Sequence, residues 1–281
     1  MPMITYRSRF LTRIEVWFDD EPGDTRSADW ILYNQRPSPV PGASCRYFYT
    51  YFIDLTQSRE QLLAGLNEDT AYKIRRARDR DKVTCECCDP SDHAVIDRFE
   101  EMYNPFAALK GLLPLDRARI DGMASAGALD LSVVKDSQGN VLVYHANYRN
   151  QDRATELYLP SLYRKLSASA ARNAIGRANR YLIWSDMLRY KAQGLKYFDF
   201  GGWYPGTADP ALLKINEFKR GFGGQVVRAY QCEQILTLKG WLVLRVARLL
   251  KQTKLFPSGQ GKPAADSPPP AVRHPVAAPS A

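Results

Sequence analysis

Hydrophobic and polar positions recur along this chain with periods of both two and three-to-four residues, which predicts a mixed α/β protein. Residues 1–55 are rich in aromatic and β-branched side chains. Turn clusters break them at Glu21-Pro22-Gly23-Asp24 and Ser38-Pro39-Val40-Pro41-Gly42, as expected for several strands of an antiparallel unit. From Glu60 to Arg80 the pattern is helical, with Asn67 placed to cap a second helix and Glu68 and Asp69 in its first turn. That stretch ends in a basic run of Lys73, Arg75, Arg76, Arg78 and Arg80. Val83–Cys88 reads as a strand, Asp92–Leu109 and Leu115–Ala126 as helices. Leu129–Lys135 and Val141–Tyr148 read as strands joined by a turn at 136–140, and Ala154–Tyr163 as a longer strand. A helix follows over Ala174–Gln193, closed by Gly194. Strand Tyr197–Phe200, helix Ala211–Arg220 and strand Gln225–Cys232 complete the order β-α-α-β-β-β-α-β-α-β, a mixed sheet with helices on its faces.

The same reading divides the chain into an N-terminal β-rich subdomain (1–55), a basic helical connector (56–81), a main α/β domain (82–236), a basic amphipathic helix (237–255) and a tail (256–281). From Pro257 onward the tail holds seven of the eighteen prolines, spaced by Ala, Ser and Gly, a composition that predicts disorder. In 237–255, Leu238, Trp241, Leu242, Leu244, Val246, Leu249 and Leu250 are set against Lys239, Arg245, Arg248, Lys251 and Lys254. The apolar run is shorter than the ~20 residues that span a bilayer, so peripheral contact with an anionic membrane surface is one expectation and a core-packing helix the other.

A net charge of +9 points to an anionic partner, whether a phosphorylated cofactor, a nucleic acid or a membrane surface. The opening Met-Pro-Met-Ile-Thr-Tyr-Arg reaches charge before any apolar run, so no signal peptide is expected and the cytoplasm is the default location. Five cysteines do not read as a disulfide framework, and Cys85-x-Cys87-Cys88 lacks the paired spacing of a zinc site, with Cys45 and Cys232 isolated elsewhere. These cysteines read as structural, and no metal is expected.

The chemistry concentrates in two glycine corners. Lys196-Tyr197-Phe198-Asp199-Phe200-Gly201-Gly202 is followed, after a loop with Trp203 and Tyr204 and a short helix, by Phe218-Lys219-Arg220-Gly221-Phe222-Gly223-Gly224. Paired glycines permit positive φ and a close backbone approach to a ligand, and Asp199 and Lys219 add opposite charges. These corners, with Tyr72–Arg78 and Ala178–Trp184, carry a resemblance over about 55–235 to the GNAT acyltransferase superfamily, in its Fem-type branch of peptidoglycan-bridge aminoacyltransferases and acetyltransferase-like relatives. Fem-type enzymes typically have two GNAT-like halves and some a helical arm. This chain has one full half, an N-terminal strand unit too short for another, and no arm.

The resemblance implies a GNAT-like N-acyltransferase fold with an N-terminal β-rich extension. It implies transfer of an acyl or aminoacyl group to an amine, with a cell-envelope precursor as the preferred acceptor class. Acyl-CoA is the preferred donor and aminoacyl-tRNA the alternative. The family's pyrophosphate turn before the long helix corresponds to Asn173-Ala174-Ile175-Gly176-Arg177-Ala178, with Arg172 alongside. The same residues also read as a plain helix start. Lys219 matches a lysine that contacts the phosphorylated acceptor in Fem-type enzymes, and a point cation also suits a developing oxyanion.

An attacking amine must lose a proton, and His145, Asp199 and Glu156 are the candidate bases. His145 also reads as a satisfied core histidine, and Asp199 as a cap of the glycine corner. Trp203 and Tyr204 are the favoured substrate walls, with Gly201 and Gly202, ahead of Tyr148, Tyr158 and Tyr163. No serine or cysteine adjoins a histidine, so direct attack is expected rather than a covalent enzyme intermediate. A non-catalytic nucleic-acid-binding role for the basic helix 73–80 is the remaining alternative.

Overall fold

The structure, a computed structural model, describes residues 3–8, 10–165 and 167–252. The predicted tail, with the last residues of the predicted 237–255 helix, lies outside the described residues. Ten strands form a single sheet. They are β1 (Ile4–Ser8), β2 (Leu11–Trp17), β3 (Trp30–Arg36), β4 (Ser44–Asp54), β5 (Thr84–Cys88), β6 (Leu129–Lys135), β7 (Val141–Arg149), β8 (Arg153–Tyr158), β9 (Tyr197–Gly202) and β10 (Gln225–Ile235). Their order across the sheet is β1-β2-β3-β10-β4-β9-β8-β7-β6-β5. Only β2/β3 and β8/β9 run parallel. The four N-terminal strands therefore continue the same sheet, and β4 is inserted between β9 and β10.

The helices are α1 (Arg59–Gly65), α2 (Glu68–Asp79), α3 (His93–Leu109), α4 (Arg117–Ser125), α5 (Ser169–Ala192), α6 (Pro210–Arg220) and α7 (Leu238–Gln252). The helical stretch from 60 to 80 splits where Asn67 caps α2, its side-chain oxygen accepting from the Thr70 N–H at 2.8 Å. Inward residues of β7 alternate, as a strand requires. Tyr144, Ala146 and Tyr148 pack with α3, α4 and the side chains of Ile4, Tyr6, Trp17 and Phe18. Val143 packs against Ile175, Ala178 and Leu182 of α5. The α5 face continues through Phe198, Phe200, Met187 and Tyr190 to α1 and α2.

On the α3/α4 face one carboxylate is buried and fully engaged. Glu15, 1% exposed, accepts from Arg119 Nε at 2.6 Å and Nη2 at 2.9 Å. Tyr6, Trp17 and Asn34 donate to it as well. Burial pushes its pKa up, but the Arg119 charge and these hydrogen bonds hold it below the usual carboxylate range.

Two expectations change. The strand predicted over Ala154–Tyr163 ends at Tyr158, because Pro160 cannot donate to a ladder, and Tyr163 lies exposed in a short 3₁₀ turn. Cys45 and Cys232 form a disulfide between β4 and β10. Spacing could not reveal this pair, 187 residues apart, but strand register sets the two residues opposite each other. Cys85, Cys87 and Cys88 remain free thiols on edge strand β5. Among the described residues, no helix is long and apolar enough to cross a membrane.

Candidate functional site

β8 and β9 start as neighbours and then part. Arg153 pairs with Tyr197, Ala154 with Phe198 and Thr155 with Asp199, after which the ladder stops. β9 instead stays with β4, where Thr50 faces Gly202. Gly201 makes the departure possible: its φ is +67°, and a Cβ there would lie 3.3 Å from the Glu156 carbonyl oxygen.

Into this split projects Lys219, from the last turn of α6 and 7% exposed. Its ammonium donates to the carbonyl of Gly201 at 3.3 Å and to that of Gly202. An ammonium has three donors, so one remains for a ligand. Burial lowers the Lys219 pKa, and the charges of Glu156 and Asp199 oppose that. Glu156, 9% exposed, stands on β8 beside the split, and its Oε1 is buried without a partner. Burial pushes its pKa up to about 7, with Asp186 and Asp199 adding to the rise and His145 and Lys219 countering it. Across the β7/β8 ladder from Glu156 lies Asn147, whose Oδ1 is likewise buried and unpartnered. The Asn147 amide is oriented by its Nδ2, which donates to Tyr190 Oη at 2.9 Å. Tyr190 in turn donates to Asp130 at 3.0 Å.

The remaining candidate residues divide clearly. Asp199 is fully buried and committed: it accepts from Arg153 at 2.6 Å, from the Gly201 N–H at 2.7 Å and from the Thr50 hydroxyl. Arg153 is itself held between the rings of Phe18 and Phe52, at 3.9 and 3.8 Å. Asp199 thus shapes the glycine corner from the face opposite Glu156. His145 is also buried on every side. Its Nδ1 lies 2.9 Å from Asp186, and its Nε2 lies 2.9 Å from the side-chain oxygen of Asn179. With an acceptor at each nitrogen the imidazolium is favoured. Burial opposes that charge, but the hydrogen bond and charge of Asp186 outweigh it and raise the pKa. A ring so engaged is not free to take a proton from a substrate.

The expected pyrophosphate turn is absent as a turn. The Ala-rich stretch before residue 174 continues the helix, so α5 starts at Ser169 and residues 172–178 lie in its body, their N–H groups inside the helical ladder. Arg177 is paired with Asp81 at 2.6 Å, Ala178 is core, and the Gly176 carbonyl accepts from Arg180 at 3.0 Å. Arg172 and Asn173 occupy the same early helix turns, and Asn173 is exposed. The second glycine corner is packed against neighbouring backbone. At Gly223, with φ +75°, a Cβ would lie 2.2 Å from the Gly65 carbonyl oxygen, and at Gly224 2.1 Å from that of Phe52. These glycines allow backbone to meet backbone, not ligand.

Tyr148 lies in the opposite core, stacked on Trp17 at 4.5 Å, and does not reach the split. Trp203 and Tyr204 do border it. Trp203 is half-buried, stacked on Tyr51 at 5.0 Å and covered by Arg220 at 5.0 Å. The backbone of Tyr204 is pinned by Asn216 of α6. Arg180 lies 4.7 Å over Phe218, on the same side. The basic run of α2 is partly neutralised within its own helix, by Lys73–Asp69 and Arg78–Asp79, both at 2.7 Å. Arg153, Thr50 and Asn147 escaped sequence reading because Arg153 opens a strand, the other two lie within strands, and no motif surrounds any of them.

No protein-family model matches the chain, and no curated protein matches it in sequence. Solved structures do match. FemX superposes with a TM-score of 0.60 at 13% identity, over 87% of this chain and 85% of that one. The C-terminal domain of a protein assigned as lysylphosphatidylglycerol synthetase from Agrobacterium fabrum gives 0.51 at 17%, over 85% and 82%. L-PGS from Bacillus licheniformis gives 0.51 at 13%, over 84% and 82%. The chain therefore shares the fold of these three proteins.

Proposed function

We propose that this protein transfers an acyl or aminoacyl group from an activated, phosphate-bearing donor to an amine. The reading rests above all on the buried, partly unpartnered carboxylate of Glu156 beside a buried ammonium at the β8/β9 split. Its fold likeness to FemX supports it. An alkyl ammonium with an ordinary pKa near ~10 costs about 4 kcal/mol to deprotonate at neutral pH. Glu156, titrating at about 7, is matched to accept that proton. The freed amine attacks the donor carbonyl carbon, and the third N–H of Lys219 stabilises the developing oxyanion. Collapse breaks the carbon–sulfur or carbon–oxygen bond, the leaving thiolate or alkoxide takes up the proton that the attacking nitrogen sheds, and an amide remains.

The acceptor class we favour is an amine on a cell-envelope glycan or lipid-linked precursor, and the donor an acyl-CoA or aminoacyl-tRNA. Arg180 and Arg220, beside the split, are the cations best placed for donor phosphates. Incubating the protein separately with acyl-CoA and with charged tRNA, plus a panel of amines, tests the reading by mass spectrometry. One donor is expected to yield amide products that Glu156→Gln makes at least about a hundredfold more slowly. Products made equally well by that variant, or no product from either donor across the panel, would reject it.

A further inference from the structure

We propose that α7 seats the protein on an anionic lipid surface, independently of which group the split transfers. Leu238, Trp241, Leu242 and Val246 are all exposed, Leu238 at 73%. They recur at i, i+3, i+4 and i+8, so they share one stripe along the helix. The helix is held with that stripe outward. Gly240 packs so tightly on the Asp29 carbonyl oxygen that a Cβ would lie 2.7 Å from it. Lys239 and the Thr237 hydroxyl both bind the Asp29 carboxylate at 2.7 Å.

Charge identifies the occupant. No Asp or Glu occurs between Glu233 and Asp266, while Lys239, Arg245, Arg248, Lys251 and Lys254 do. A second copy would bring the same positive charge to the contact and repel it. An anionic bilayer offers an apolar interior and negative headgroups together. Trp241 suits the interface between them, and long basic side chains reach the headgroups while their stems stay apolar. Beside the stripe opens a shallow hollow of about 260 Å³ lined by Ile235, Trp241, Leu244 and Arg245. Arg245 lies 4.8 Å over the Trp241 ring, at the rim. At 15 residues, α7 is too short to span a bilayer and would lie in its plane.

Flotation of the full chain with vesicles tests this. Co-flotation is expected with phosphatidylcholine–phosphatidylglycerol vesicles at low salt, falling as salt rises, and not with phosphatidylcholine alone. Leu242→Asp combined with Val246→Asp is expected to weaken partitioning by about tenfold or more. Arg245→Glu should weaken it by about 25-fold, at about fivefold per unit of charge. Both sets change exposed positions, and an unchanged thermal melt confirms that they fold. Absence of co-flotation at low salt, undiminished binding by the folded double variant, or equal binding to neutral vesicles would each overturn the proposal. So would a dimer in solution that Leu242→Asp dissolves, since a second copy would then cover the stripe.

Discussion

Glu15 and Glu156 are both buried glutamates on strands of one sheet, and they are treated in opposite ways. Glu15 meets a bidentate guanidinium and three further donors, so it stays ionised despite complete burial. Glu156 is given charges that it feels but no donor to Oε1, and its pKa rises to about 7. Burial is nearly the same at the two sites, so local partners decide whether a carboxylate holds the fold or remains available for proton transfer.

The contrast breaks most visibly at Arg119. Arg119→Met strands the Glu15 charge, and urea unfolding should show a loss of about 3–5 kcal/mol. A loss under about 1 kcal/mol would mean that Glu15 does not depend on its partner. Glu156→Gln should spare the fold and cut turnover by about a hundredfold or more, with the largest part of the change in kcat. Equal losses of stability in the two variants would erase the distinction.

The pH dependence separates them further. Turnover by the wild type should fall about tenfold per pH unit below about 7, as Glu156 takes up its proton, and the residual activity of Glu156→Gln should lack that limb. Stability runs the other way. The folded protein holds the Glu156 proton more tightly than the unfolded chain does, so this group's contribution is complete below the ordinary carboxylate pKa and is lost as pH rises through about 7. At pH 8, Glu156→Gln should therefore be more stable than the wild type, on the order of 1–3 kcal/mol, in thermal or denaturant melts. A variant less stable than wild type at that pH would show that the carboxylate is satisfied after all.

Much of the fold was legible from periodicity and punctuation: Asn67 before an acidic turn, Gly194 after α5 and the alternation in β7 each announce themselves locally. The site was harder to read. The first glycine corner stood out because paired glycines and a charge are unusual at a strand's end, and Lys219 because it leads into the second glycine corner. Glu156 was visible only as one of three candidate bases, since its distinction lies in lacking partners, and a missing contact leaves no mark in a sequence. Asp199 and His145 also looked promising, yet Arg153, Thr50, Asp186 and Asn179, drawn from three other elements, turn them into fixed parts of the fold. Helix propensity before residue 174 outweighed the motif-like spacing at 173–178. The Cys45–Cys232 bond depended on strand register, which only the folded sheet defines.

The place of β4 carries a consequence for how the protein is made. It lies between β9 and β10, both of which are synthesised long after it. As the chain leaves the ribosome, Ser44–Asp54 emerges with both edges open and neither neighbour in existence. Closing the sheet requires some of the longest-range contacts in the molecule, a topology that folds slowly. Until then an aromatic-rich strand is exposed to other nascent chains, which makes it the segment where aggregation of an incomplete chain would begin.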